Sequence, residues 1–146
     1  MSSWRRSGKK PRVNRIVLDS SAVLAMLNGE AGGDRVESLL ESMEGVANVR
    51  VALSWVNWCE VLTRTQRDNP EATAEELTSA LAGVELVPFG PAAAQLAAGY
   101  AQVTRALSLG DRACLALAKM MDGSVWTADR VWAQLELDVP VTLIRP

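Results

Sequence analysis

The chain has 146 residues, 49% of them hydrophobic and 22% charged, with two cysteines and no histidine. That length favours one domain with a core of its own. The missing imidazole excludes Ser-His-Asp and Cys-His nucleophiles and every zinc site that needs histidine. Net charge is −2 but unevenly spread: the first 15 residues hold Arg5, Arg6, Lys9, Lys10, Arg12 and Arg15 without one acid, and the rest carries nine bases against 17 acids.

Hydrolytic chemistry here must therefore run on carboxylates, hydroxyls, lysine or a hard metal. No apolar stretch approaches the roughly 18 residues of a membrane span, and no signal-type segment follows the basic start. The expectation is a cytoplasmic protein. Cys59 and Cys114 form no CxxC pair and read as two buried, reduced thiols. Residues 1–12 read as a basic arm, either a frayed terminus or a tether for a phosphate backbone; residues 13–146 read as a single domain.

In chain order, Val13–Asp19 reads as a short buried strand. A helix follows over Ser20–Asn28, with Ser20 or Ser21 near its N-cap and Asn28-Gly29 as its stop. Val36, Leu39, Leu40 and Met43 recur at helical spacing, which predicts an amphipathic helix over Gly33–Glu44. Asn48–Leu53 alternates and is rich in Val, a second strand. Ser54 caps a long helix reaching about Asp68, where Asn69-Pro70 breaks it. Thr73 and Glu76 make a capping-box pattern for a helix over Thr73–Leu81. Val84–Val87 is a third strand, stopped by Pro88. Helices are expected over Pro91–Leu107 and Gly110–Met121, a fourth strand over Gly123–Thr127, a helix over Asp129–Leu137 and a fifth strand over Val139–Ile144. Strands alternating with helices predict an α/β domain with a largely parallel sheet covered on both faces. Ligands of such sheets sit beyond the carboxyl ends of the strands, where strand order reverses.

Four carboxylates stand in places that a fold alone does not require. Asp19 directly follows the first strand and Asp129 the fourth. In "LSLGDRACLALAKMM", Asp111 shares a stripe with Cys114, Leu115 and Ala118, while Arg112, Ala116 and Lys119 form the opposite, solvent-seeking side. A bland role for Asp111 is to complement the helix dipole, with Ser108 or Gly110 as cap. In "SWVNWCEVLTR", Glu60 shares a stripe with Asn57 and Arg64, and an ion pair with Arg64 is its bland role. Gathered in one crevice, such acids repel: at about 5 Å and an effective dielectric near 20, one pair costs roughly 3 kcal/mol. Protonation or a cation must relieve that. Oxygen-only ligands select Mg²⁺ or Mn²⁺, ions suited to phosphodiester hydrolysis. Asp19 would then be a metal ligand, and Ser20 or Ser21 could touch a water or phosphate nearby.

The stretches "IVLDSSAVLAML", "SWVNWCEVLTR", "LSLGDRACLALA" and "VWTADRVW" resemble the PIN-domain family, and within it the VapC-type toxins of bacterial toxin–antitoxin pairs. The resemblance runs from about residue 13 to the end. It implies a three-layer α/β/α sandwich whose five-stranded sheet has the order 3-2-1-4-5. It also implies Mg²⁺- or Mn²⁺-dependent endoribonuclease activity, with RNA (tRNA among the candidates) as substrate. Asp19, Glu60, Asp111 and Asp129 match the family's acidic cluster, Thr127 the hydroxyl beside its last acid, and Asn57 a small polar residue one turn before Glu60. The implied partners are a cognate antitoxin and a second copy of the chain. The basic arm departs from the family, which begins almost at the first strand.

An acidic body must still attract RNA. Arg64, Arg67, Arg112 and Arg130 lie near the acid motifs and are the candidates for contacting it. Of the tryptophans, Trp126 reads as core, while Trp55 and Trp58 suit either an interface or base stacking. Two other readings stay open: a PIN-domain RNA-processing nuclease without a toxin role, and a non-catalytic PIN-like module that binds RNA or protein. Other α/β families fit less well. A haloacid-type phosphatase wants Asp where Ser21 stands, a receiver domain wants Asp and Lys where Val87 and Ile144 end their strands, and a dinucleotide fold wants a glycine-rich turn where "DSSAV" follows the first strand.

Overall fold

The computed structural model describes residues 13–45 and 48–146; the basic arm of residues 1–12 lies outside them. Five parallel strands make the sheet: β1 (Asn14–Leu18), β2 (Val49–Ser54), β3 (Glu85–Val87), β4 (Ser124–Thr127) and β5 (Val141–Leu143). Their order is β3-β2-β1-β4-β5. Strand order reverses between β1 and β4, which pair in register as Ile16 with Ser124, Val17 with Val125 and Leu18 with Trp126.

Alternation along the strands sorts the core into two layers, because successive side chains point to opposite faces. Ile16, Leu18, Val51 and Leu53 face one cluster, built with Val23, Val36, Trp58, Val61 and Leu77. These come from α1 (Ser20–Leu27), α2 (Gly33–Ser42), α3 (Trp55–Asp68) and α4 (Ala74–Ala80). Val17, Ala52 and Val125 face the other cluster with Tyr100, Leu115, Leu117 and Trp132. That layer holds α5 (Pro91–Tyr100), α6 (Leu109–Met121) and a short 3₁₀ turn, Arg130–Gln134. The result is the expected three-layer α/β/α sandwich.

Several local expectations need correction. The cap of α1 is Asp19 in extended conformation, without a side-chain capping bond. Ser20 and Ser21 are already inside the first turn, so their hydroxyls are turned sideways to other elements. α5 stops at Tyr100, seven residues short of Leu107. Its last turn tightens to i→i+3 bonding, with the Val103 N–H on the Tyr100 carbonyl at 3.1 Å, and the chain then leaves the helix. The expected helix over Asp129–Leu137 is only the 3₁₀ turn, because Leu135 and Leu137 are drawn onto the second core cluster. Ala116 is fully buried against Ala93 and Ala97 rather than solvent-facing. Cys114 is buried but Cys59 is exposed, and Trp126 is only half-buried, with the Arg35 guanidinium 5.6 Å from its ring centre. Among the described residues, no helix is long and apolar enough to cross a membrane.

Two glycines allow the chain to close around this end of the sheet. Gly32 has φ of +87°, and a Cβ there would sit 2.6 Å from the Ile144 carbonyl oxygen. At Gly33 a Cβ would sit 2.3 Å from the Ala25 carbonyl oxygen. The α1–α2 turn is thereby pressed against the end of β5, which brings Arg145 beside Glu30 and Ala31.

Candidate active site

Asp19 sits where β1 hands over to α1. Its N–H still continues the sheet, donating to the Trp126 carbonyl at 3.0 Å, so its side chain emerges at the reversal of strand order. The residue is 4% exposed. Its Oδ2 accepts from Ser21 Oγ at 2.6 Å and from fully buried Thr127 Oγ1 at 2.9 Å. Each hydroxyl has one proton and gives it to Asp19, so each is left as an acceptor for the backbone behind it. Ser21 Oγ takes the Ala128 N–H at 2.9 Å and Thr127 Oγ1 takes the Asp129 N–H at 3.1 Å. The "TAD" segment is thus clipped to Asp19 through two hydroxyls. Burial raises the Asp19 carboxyl to about 6; the two hydroxyl bonds pull it down but do not offset the desolvation, and Asp111 raises it further.

Glu60 reaches the site from α3. Its Oε1 accepts from Ser20 Oγ at 2.7 Å and from Asn57 Nδ2 at 3.0 Å, so it is turned across the site rather than along its helix to Arg64. Fully buried Asn57 joins three elements: its Nδ2 lies 3.0 Å from Ser20 Oγ on α1 and 3.0 Å from the Gly110 carbonyl on α6. Glu60 Oε1 and the Gly110 oxygen can only accept, which fixes the amide with its NH₂ toward them. Among the described residues, Asn57 Oδ1 is left buried without a partner.

Asp111 lies in the first turn of α6. Ser108 Oγ accepts the Asp111 N–H at 3.1 Å and Asp111 Oδ2 accepts the Ser108 N–H at 2.9 Å, a reciprocal capping box. The bland role foreseen for Asp111 is therefore real, yet half-burial still raises its carboxyl, and Asp129 and Glu60 raise it further. Asp129 uses Oδ1 to cap the Val131 N–H at 3.0 Å. The four acids thus come from four separate elements. Each has one carboxylate oxygen anchored in a hydrogen bond.

That pattern fits a hard cation. The donors are carboxylate and hydroxyl oxygens, and hydrogen-bonded carboxylates are the usual surroundings of such ions. Among the described residues no three acid or thiol side chains lie close enough to hold one ion directly. A cation here would take one or two carboxylates and keep several waters, the coordination Mg²⁺ prefers.

Beside Ser21, a groove of about 640 Å³ is lined by Arg64, Arg67 and Arg145 together with Glu30, Asp68 and Glu76, and by none of the four site acids. A second, of about 480 Å³, is lined by Ser21, Asp129, Arg130 and Arg145 among others. Arg64 and Arg67 thus line the first groove and Arg130 the second. Arg112 is not in either groove: its Nη1 donates to the Ala97 carbonyl at 3.1 Å and, among the described residues, its Nε is buried without a partner, so it joins α6 to α5. Trp55 is 45% exposed at the start of α3, about 140° around the helix from Glu60 at 100° per residue, and so faces away from the acids.

Two residues of the site escaped the sequence reading. A Cβ on Gly110 would lie 2.1 Å from Glu60 Oε1; the missing side chain is the seat of the Glu60 carboxylate. The available signal was a glycine inside the first turn of a helix, where alanine is ordinarily better. Arg145, next to the last residue, gave no signal at all.

A family model, the PIN domain, matches residues 16–137. No curated protein matches the sequence. Solved structures do match in fold. A toxin–antitoxin complex from Klebsiella pneumoniae aligns at TM-score 0.65 and 17% identity, over 88% of this chain and 97% of that one. VapBC-1 from nontypeable Haemophilus influenzae aligns at 0.63 and 14%, over 89% and 98%. VapBC-5 from Mycobacterium tuberculosis, described as a member of the VapBC family of toxin–antitoxin systems, aligns at 0.56 and 22%, over 90% and 98%. The family model spans most of the chain, and the strand order agrees with that fold: the chain belongs to the PIN-domain family, whose members are nucleases.

Proposed function

We propose that this chain is a divalent-metal-dependent endoribonuclease and the toxin of a toxin–antitoxin pair. The observation that carries the reading is buried Asp19 at the strand-order reversal, raised to about 6 beside Asp111 and, among the described residues, without a basic partner. A fold gains nothing from such a charge unless a cation joins it.

Asp19 and Asp111 are the primary metal-holding residues in this reading, with Glu60 and Asp129 completing the negative shell. Bound among them, Mg²⁺ or Mn²⁺ would activate water, neutralise the phosphate and stabilise the leaving oxygen. The chain's own residues prepare that chemistry. Ser21 and Thr127 hold one oxygen of Asp19 and orient the other. Ser20, Asn57 and Gly110 fix Glu60 over the start of α6. Ser108 sets the Asp111 carboxylate. Arg64, Arg67 and Arg130 supply positive charge for the phosphates of the substrate in a body that is otherwise acidic.

The toxin role draws support from the fold neighbours, several of which are toxin–antitoxin complexes. A cognate antitoxin and a second copy of the chain are the partners this reading calls for. RNA end mapping tests it. Purified protein should cut RNA at internal sites with Mn²⁺ and stop in EDTA, and the Asp19→Asn variant should be inactive. Cutting by Asp19→Asn at the wild-type rate would end the proposal.

A further inference from the structure

The two grooves that meet at Ser21, the second of which also includes Asp129, share only Ser21 and Arg145. Ser21 Oγ lies 2.6 Å from Asp19 Oδ2, so the ridge between the grooves is also the edge of the acid site. Arg64 and Arg67 line one groove and Arg130 the other. A strand passing from the first arginines to the last must cross that ridge beside Arg145.

Arg145 is held there but not used up. Its Nη1 donates to the Ala31 carbonyl at 3.1 Å and lies 3.4 Å from Glu30 Oε1. Its side chain remains one-third exposed. A guanidinium has five N–H donors on three nitrogens, and among the described residues only Nη1 is engaged. The remaining edge suits the paired oxygens of a phosphate. Its anchorage is rigid, since the Gly32–Gly33 turn is pressed between α1 and the end of β5.

We infer that Arg145 is a phosphate-binding residue that seats single-stranded RNA across the ridge between the two grooves, beside Asp19. The inference rests on the nuclease reading above and adds to it the path of the strand. Glu30 then opposes the phosphate by charge, its carboxylate lying 3.4 Å from the same guanidinium.

The test is binding of a labelled single-stranded oligoribonucleotide to the full chain in EDTA, across a salt series. Arg145→Gln should weaken binding about tenfold and lower the salt slope by about 0.7, the loss of one phosphate contact on a single strand. Arg145→Lys keeps the charge and the anchoring bonds but not the fork, so it should keep the slope and lose only part of the affinity. Glu30→Gln should tighten binding in the wild type and do so less in the Arg145→Gln background, a coupling that a merely structural arginine would not give. Wild-type affinity and slope in Arg145→Gln, with cleavage by the wild type intact, would overturn this inference alone. A wild-type chain that neither binds nor cuts RNA would overturn the nuclease reading and this inference with it.

Discussion

Replacing Asp19 by asparagine should stabilise the metal-free protein at neutral pH while abolishing its activity. The folded-state value is about 6 against an ordinary 3.8. Between those values the folded protein binds more proton than the unfolded chain, so stability falls as pH rises through that window. Above it the penalty is fully present. The shift of about 2 pH units corresponds to roughly 3 kcal/mol at 1.36 kcal/mol per unit. Asparagine is neutral at every pH and carries no such penalty. Urea denaturation in EDTA at pH 4 and pH 7 reads the difference directly. The stability of Asp19→Asn relative to wild type should rise by about 2.4 kcal/mol between the two, because at pH 4 the unfolded carboxyl is already more than half ionised. Changes in hydrogen bonding to Ser21 and Thr127 shift both points alike and cancel. A relative stability that is flat from pH 4 to 7 would refute the claim that Asp19 is a desolvated, unpaired carboxylate.

Other perturbations separate the parts of the site. Gly110→Ala should leave the fold intact or gain up to about 1 kcal/mol in thermal denaturation, since alanine is the better helix former. Its Cβ would displace the Glu60 carboxylate, so nuclease activity should fall sharply; undiminished activity would mean that Glu60 has no role. Asn57→Ala should lower Mn²⁺ affinity about tenfold, as loss of a residue that orients a ligand does, and unchanged affinity would remove Asn57 from the site. Arg112→Ala should cost about 1–3 kcal/mol in urea denaturation, by leaving the Ala97 carbonyl without its donor, with RNA salt dependence unchanged. Deleting residues 1–12 should weaken RNA binding and flatten its salt dependence; an unchanged slope would make the arm incidental.

Much of the fold was legible because its signals are local. Strand alternation in "RIVL" and "RVALS" sorts side chains between two layers, and caps such as Ser54 and Thr73 are written in adjacent residues. Asp19 and Asp129 were legible as acids at strand ends, since a parallel sheet opens its ligand site there. What the sequence hid depends on tertiary contact. The end of α5 is decided by how the chain turns back after Tyr100. Ala116 looked solvent-facing until α5 packed on it. Ser20 and Ser21 read as caps because that is the commonest local role of serine before a helix, whereas Ser20 bonds Glu60, 40 residues away, and Ser21 takes the Ala128 N–H, 107 residues away. Gly110 and Arg145 matter only once α3 meets α6 and the last strand meets the α1–α2 turn. Asp111 shows that both readings of a residue can hold together: one carboxylate oxygen caps the helix through the Ser108 N–H, and the carboxylate still contributes charge to the site.

The most direct test of the central claim is calorimetric titration of Mn²⁺ into the wild-type chain and into the Asp19→Asn and Asp111→Asn variants at pH 7. The account predicts saturable binding by the wild type and a loss of at least about tenfold in each variant. Equal binding by all three chains would contradict it.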